Sequence, residues 1–132
     1  MKNKMTSHYA AKLLTASLLL LANYAFASDI VFICHKGNAL NAKEIRTAYT
    51  AYFDEPKIVD NKALRPKLLQ YLNMSEHQYK KMWEKQYFRR ALTPPVVKKD
   101  DREVVDYVES HDAGVGYVAE VPHGADVEVC GK

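Results

Sequence analysis

Two cationic side chains stand beside a predicted helix start in the middle of the chain. Lys62 and Arg65 follow Asn61. Asn61 is predicted to be the N-cap of a helix that continues through the leucines of 64–72. Free backbone N–H groups at a helix start, combined with an ammonium and a guanidinium, bind oxyanions such as phosphate. A solvent-exposed helix face accounts for the same residues without any ligand, so the two interpretations stay open.

A second candidate ligand site is the polar turn that follows the first predicted strand. In α/β sheets, ligands commonly bind beyond the carboxyl ends of the strands, and this turn occupies such a position. An ordinary connecting turn has the same composition and needs no ligand. The candidate residues of this turn are His35, Lys36, Gly37 and Asn38.

A pair of arginines forms the third candidate. Arg89 and Arg90 end an aromatic-rich segment and precede the Pro94-Pro95 pair. Two guanidiniums at a helix C-terminus interact favourably with the negative end of the helix dipole, which would give them a stabilising role. The alternative is contact with an anion or with an acidic partner protein.

The sequence offers little for catalysis. The serines of 28–132 are Ser28, Ser75 and Ser110, and none lies in a Gly-x-Ser-x-Gly motif. Neither a P-loop nor a dinucleotide fingerprint is present. The histidines of 28–132 show no metal-ligand spacing with each other or with the cysteines. We therefore predict a protein that is not an enzyme and that needs no metal or cofactor.

Residues 1–27 resemble a secretory signal. This segment contains three lysines and no acidic residue. An apolar run covers 13–22, and Ala-Phe-Ala stands at 25–27. The apolar run is about half the ~20 residues that span a bilayer, which disfavours the alternative of an uncleaved anchor. The prediction is cleavage before Ser28 and a periplasmic domain over 28–132.

Removal of 1–27 would leave a domain without net charge. Three of the 19 basic residues and none of the 16 acidic residues lie in 1–27, so 28–132 holds 16 of each. A nucleic-acid-binding surface normally shows a basic excess. We therefore predict no nucleic-acid partner.

The cysteine count agrees with export. Cys34 and Cys130 lie near the two ends of 28–132, and each follows or ends a β-like run. In an oxidising compartment an even number of cysteines favours a disulfide, here joining the first strand to the last. Two free, buried thiols are the alternative.

Hydrophobic periodicity predicts the order β-α-β-α-α-β-α-β-β, a single α/β domain with a small mixed sheet. Capping boxes are predicted at Asn41 and Ser75, and a further cap at Asp100. Gly114 is predicted to end the following helix in a left-handed conformation. Most tyrosines, Tyr87 among them, recur at helical spacing and are expected in the core, with an exposed aromatic interaction face as the alternative.

An ordered set of segments resembles the substrate-binding protein of phosphate ABC transporters. The set comprises Ile45, Lys57-Ile58-Val59, Trp83, Tyr87-Phe88, Pro94-Pro95, the segment 104–108 and the Ala-Gly-Val-Gly-Tyr-Val signature at 113–118. The resemblance covers about 29–130. Full-length members are two-lobed clamshells of the class II periplasmic binding protein type. The resemblance therefore implies one lobe of that fold, with a small mixed sheet flanked by helices.

This resemblance implies an exported solute-binding module for phosphate or a related small oxyanion, acting weakly or with a partner. The chain departs from the family where phosphate is held, because 60–65 reads Asp-Asn-Lys-Ala-Leu-Arg in place of an Arg and a Ser-Gly-Thr loop. An acidic residue at 60 would repel an anion. The alternative is an interaction domain that recognises another envelope protein or a transporter subunit.

Overall fold

The computed structural model describes residues 30–50 and 57–132, and its elements follow the predicted order. Five strands form one mixed sheet with helices packed on it, which confirms the mixed α/β prediction. The strands are β1 (Val31–His35), β2 (Lys57–Asn61), β3 (Val96–Lys98), β4 (Gly114–Val118) and β5 (Val127–Cys130). The helices are α1 (Ala42–Tyr49), α2 (Arg65–Leu72), α3 (Glu76–Arg90) and α4 (Asp101–Ser110).

The strand order in the sheet is β3-β2-β4-β1-β5. β2 runs parallel to both β3 and β4, whereas β1 runs antiparallel to β4 and β5. Because β1 and β2 run in opposite directions, their carboxyl ends lie at opposite ends of the sheet. His35, the last residue of β1, is therefore separated from Asn61, the last residue of β2, by the length of the strands.

The sheet separates two hydrophobic clusters. One cluster packs α1, α2 and α3 against inward-facing residues such as Phe32, Ile58 and Tyr117. The other packs the valines of α4 against the opposite face, where Ile33 and Val59 point. Since side chains alternate along a strand, neighbouring residues such as Phe32 and Ile33 serve different clusters. The helices consequently form a layer on each face of the sheet.

The predicted helix starts are mostly confirmed. Asn41 and Ser75 each form a complete capping box, and the Asp100 side chain accepts a hydrogen bond from the Glu103 N–H. The prediction for Asn61 is wrong, because α2 begins after Leu64 without a side-chain cap and Asn61 belongs to β2. Its side chain instead donates to Asp101 and to the Tyr117 carbonyl.

Gly114 does not end α4, so that prediction is also wrong. The helix ends at Ser110 with His111 as its C-cap, and Gly114 opens β4 without a positive φ. A Cβ at Gly114 would lie 2.9 Å from the Cα of Val108, which is closer than side chains tolerate. Glycine is required here because the α4 backbone passes directly over the strand.

The predicted disulfide joins Cys34 of β1 to Cys130 of β5, with a Cα–Cα distance of 5.9 Å. That distance lies within the range of about 4.4–6.8 Å that disulfides adopt. β1 and β5 are adjacent strands, as the prediction required. Both cysteines are buried in the cluster beneath α1. A disulfide of this kind fits a protein of an oxidising compartment.

Some of the sequence-based predictions concern residues outside 30–50 and 57–132. The signal at 1–27 lies outside the described residues, as do 51–56, which include Tyr52 and Pro56. In the ranges 30–50 and 57–132, no helix combines the length and the apolar character needed to cross a bilayer.

Candidate functional site

A groove of about 400 Å³ lies between α3 and the segment that leads into β3. We call it the aromatic groove, because rings and proline rings make up most of its wall. Asp60 of β2 and Arg65 of α2 also reach it. Its other lining residues are Tyr79, Lys80, Trp83, Glu84, Tyr87, Phe88, Pro94, Pro95 and Val97.

The floor of the aromatic groove contains a buried carboxylate. Asp60 is 1% exposed. The Tyr79 hydroxyl donates to its Oδ2 at 3.0 Å, and the Tyr117 hydroxyl donates to its Oδ1 at 2.8 Å. Burial raises the pKa of the Asp60 carboxyl, although both hydrogen bonds and Arg65 act in the opposite direction. The two hydroxyls therefore partly replace the hydration that this carboxylate loses in the folded protein.

The same environment keeps both tyrosines protonated. Burial, followed by the negative charge of Asp60, raises the pKa of Tyr79 and of Tyr117 far above the ordinary tyrosine value. Each hydroxyl is therefore a fixed donor toward Asp60 rather than a candidate base. Tyr49, on α1, donates to the Val59 carbonyl at 2.9 Å and extends this buried polar layer.

Arg65 is engaged on several sides. Its guanidinium lies 4.8 Å from the centroid of the Tyr79 ring, an arrangement typical of a cation–π contact. Nη1 lies 3.9 Å from Asp60 Oδ2, and Nε lies 3.3 Å from Glu76 Oε1 in an ion pair without hydrogen-bond geometry. An incoming anion would have to compete with two carboxylates for this guanidinium. Arg65 is consequently a poor primary ligand for phosphate.

Asn61, a candidate anion ligand, is fully buried and its side chain is already committed. Nδ2 donates to Asp101 Oδ1 at 2.7 Å and to the Tyr117 carbonyl at 3.0 Å, while Oδ1 accepts from the Ala63 N–H at 3.1 Å. These bonds tie the end of β2 to β4 and to the start of α4. Lys62, the next residue, is exposed. Asn61 therefore holds the sheet together and presents no donor to solvent.

The turn at 35–38 lies at the other end of the sheet, in acidic surroundings. His35 Nδ1 lies 2.9 Å from the Val108 carbonyl, and His35 Nε2 lies 3.7 Å from Asp112 Oδ1. The Lys36 ammonium lies 3.2 Å from Asp126 Oδ1.

Asn38 of the same turn donates to the Asp112 carbonyl. Gly37 has a φ of 88° and open space where a Cβ would stand, so it shapes the turn and approaches nothing closely. These contacts anchor the turn to the end of α4. The structure therefore does not bring this candidate together with Asn61, Lys62 and Arg65.

Arg89 and Arg90 lie in the last turn of α3, where positive charges interact favourably with the helix dipole. Both are exposed. They follow the two most exposed aromatic side chains of the described chain, Tyr87 at 55% and Phe88 at 83%. The prediction of a core position for Tyr87 is wrong, because this residue lies at the rim of the aromatic groove and its side chain is largely exposed. Of this helix, only Tyr79 and Trp83 are buried.

Trp83, which is 6% exposed, forms the inner wall of the aromatic groove. Its indole N–H is buried without a well-formed hydrogen bond among the described residues, although it lies close enough to the Tyr79 hydroxyl to lower the pKa of that group. Exposed rings around a buried tryptophan are a common composition of binding surfaces.

Sequence reasoning missed the aromatic groove as a unit. The signal that was available is the pair Tyr87-Phe88 set among charged residues, followed by two prolines that prevent the helix from continuing. What it could not supply is the position of Asp60 beneath these rings, which depends on the pairing of β2 with β3 and β4.

Comparison of the chain with protein-family models, with curated proteins and with solved structures finds no match. Within the described ranges, no group of three or more histidine, cysteine, aspartate and glutamate side chains could hold a metal ion.

Proposed function

We propose that the chain is an exported binding module that recognises a segment of another envelope protein at the aromatic groove. In this proposal 1–27 is a cleaved signal, and 28–132 is a periplasmic domain resembling one lobe of a class II periplasmic binding protein. The disulfide between Cys34 and Cys130 supports an oxidising location. The function proposed is recognition, and it requires neither a metal nor a cofactor.

The observation that carries this proposal is the exposure of Phe88 and Tyr87 at the rim of the groove. Phe88 is 83% exposed and Tyr87 is 55% exposed. The two rings lie 5.4 Å apart in an edge-to-face arrangement, so they present one continuous apolar surface. Exposed aromatic surface of this kind is unfavourable in water and becomes favourable when a partner covers it.

Side-chain docking fits the groove better than addition of a strand to the β3 edge. The Lys98 carbonyl accepts from the Lys62 N–H, so the backbone groups of Val97 point away from the sheet. On either side of Val97 the edge is closed: Pro95 has no N–H, and the Lys99 N–H donates to a side chain of α4. A partner strand would therefore find no backbone N–H donor at Pro95 or Lys99.

Binding of phosphate, the function that the family resemblance implies, has less support from the geometry. Arg65 contacts two carboxylates, and Asn61 has no donor left for a ligand. The cations that remain toward solvent around the groove stand on a helix surface rather than in an enclosed pocket. A small anion bound there would keep most of its hydration, and its affinity would be low.

The test is capture from an envelope extract with three forms of purified 28–132. We expect the wild-type domain to retain a defined partner, and the Phe88→Ala, Tyr87→Ala double variant to lose it. The matched control is Val129→Ala, which shortens a 48% exposed side chain on the opposite edge strand and should retain the partner. Equal capture by all three forms would contradict the proposal.

Calorimetric titration of the same wild-type domain with phosphate and sulfate separates the two functions. The proposal expects no saturable heat from either anion at millimolar concentration. Saturable binding of phosphate that survives the Phe88→Ala, Tyr87→Ala change would favour the oxyanion module instead.

A further inference from the structure

The charges of this domain are sorted along the chain, although they balance overall. Residues 62–90 contain eight basic and two acidic residues, and 100–128 contain nine acidic and one basic residue. The first segment includes α2 and α3, which pack on one face of the sheet, and the second includes α4, which packs on the other. The folded domain therefore has a basic face and an acidic face.

The basic face is most concentrated beside the aromatic groove. Lys81, Lys85 and Arg89 are spaced four residues apart on α3, so they follow one side of the helix. We call them the basic stripe. All three are exposed, and none forms an ion pair with another described residue closer than 4.0 Å. Phe88 stands between the basic stripe and the groove, since it borders the surface on both sides of the helix.

Acidic residues of the same face do not cancel this stripe. Asp60 is buried beneath the groove and Glu76 lies against Arg65. Glu84, the other acidic residue of α3, lies beside Phe88 between the basic stripe and the groove, where its one negative charge offsets only part of the five positive charges of the helix. Long-range attraction at this surface therefore favours a negatively charged partner.

We propose that the partner segment is acidic and carries an apolar side chain, so that its carboxylates face the basic stripe while the apolar group enters the aromatic groove. This inference rests on the proposed function and specifies its ligand. Charge complementarity supplies the orientation, and burial of the apolar group against Trp83 and Phe88 supplies the affinity.

The domain's own acidic face is a weaker occupant than a separate segment. α4 carries the acidic residues, but among the described residues no large apolar side chain of α4 is exposed. A second copy docked through α4 could therefore meet the basic stripe but could not fill the groove. An anionic lipid surface could also meet the stripe, but a concave groove fits a single inserted side chain better than a flat membrane surface.

The test begins with selection of a displayed library of random peptides against purified 28–132 at low ionic strength. We expect the selected peptides to share an apolar residue flanked by aspartate or glutamate. Their synthetic forms are then titrated while the emission of Trp83, the single tryptophan of the chain, is recorded. Because Trp83 lines the groove, its emission reports occupancy directly.

A charge-reversal pair isolates the basic stripe. We expect Lys85→Glu, Arg89→Glu to weaken binding of an acidic peptide by about tenfold at low salt, with less effect at high salt. The matched control is Arg102→Glu, Lys132→Glu, which changes the net charge equally at two exposed positions outside the basic stripe and the groove lining. Its affinity should stay close to that of the wild-type domain.

The possible outcomes distinguish failure of this inference from failure of the proposed function. Selected peptides that need Phe88 but lack acidic residues would overturn this inference and leave the proposed function standing. The absence of any peptide whose binding depends on Phe88 would overturn both. Equal or tighter binding of phosphatidylglycerol vesicles through the stripe, or sedimentation of the free domain as a salt-sensitive oligomer, would assign the basic face to a membrane or to a second copy instead.

Discussion

Replacing Asp60 by asparagine should change how the stability of the domain depends on pH. Burial raises the pKa of the Asp60 carboxyl in the folded protein. Between the unfolded pKa, about 3.9, and the raised folded value, the folded state binds more protons than the unfolded state. The contribution of Asp60 to stability is therefore largest at acidic pH and is lost as the pH rises through this window.

The size of the effect follows from proton linkage. Within the window, one group that is protonated in the folded state and ionised in the unfolded state gives a slope of about 1.4 kcal/mol per pH unit. Asparagine keeps the shape of the side chain but does not titrate. The free energy of unfolding of Asp60→Asn, measured relative to the wild-type domain, should therefore rise with pH by up to that slope and then become constant.

Urea denaturation of purified 28–132 at a series of pH values, followed by Trp83 fluorescence, measures this difference. The control is Asp106→Asn, because Asp106 is an exposed carboxylate on α4, away from the groove. Its difference from the wild-type domain should stay within about 0.5 kcal/mol throughout. A difference for Asp60→Asn that is level, or that falls, from about pH 4 to about pH 7 would refute the assignment of a raised pKa.

Three further changes test the fold. The Cys34→Ala, Cys130→Ala variant should lose about 2–5 kcal/mol in denaturant unfolding, because the disulfide closes a loop with a sequence separation of 96; two titratable thiols in the unfolded, non-reduced wild-type domain would contradict the bond. Gly116→Ala should lose about 1–3 kcal/mol, since its Cβ would stand 2.6 Å from a valine methyl of α4; an unchanged melting temperature would mean that the valines repack freely. Asn41→Ala should cost about 1 kcal/mol by removing the α1 capping box, whereas Asn41→Ser should restore most of it.

Local signals explain which parts of the fold could be predicted from the sequence. A capping box is complete within four residues, so those at Asn41 and Ser75 can be identified without knowledge of the rest of the chain. Asn61 shows the opposite case. It precedes a helix and has the composition of a cap, but its amide donates to Asp101 and to Tyr117, which are 40 and 56 residues away.

Individual residues of the candidate site could be predicted, but their arrangement could not, because it depends on contacts between residues distant in sequence. The sequence identifies the candidate cations, but the direction of each strand decides which of them meet. Because β1 runs antiparallel to β4 and β2 runs parallel to it, the turn at 35–38 and the residues after β2 lie at opposite ends. Helical spacing likewise predicts that Tyr87 continues the row of Tyr79 and Trp83, but it cannot show that the buried part of α3 ends at Trp83.

The aromatic groove separates the residues that bind from the residues that support. Tyr87 and Phe88 are exposed, so their truncation should leave the free energy of unfolding nearly unchanged while it removes binding surface. Asp60 and Tyr117 are buried and hydrogen-bonded to each other, so changes there act first on stability. A loss of partner binding without a loss of stability therefore assigns a residue to the recognition surface, and this criterion applies to the basic stripe as well as to the rim.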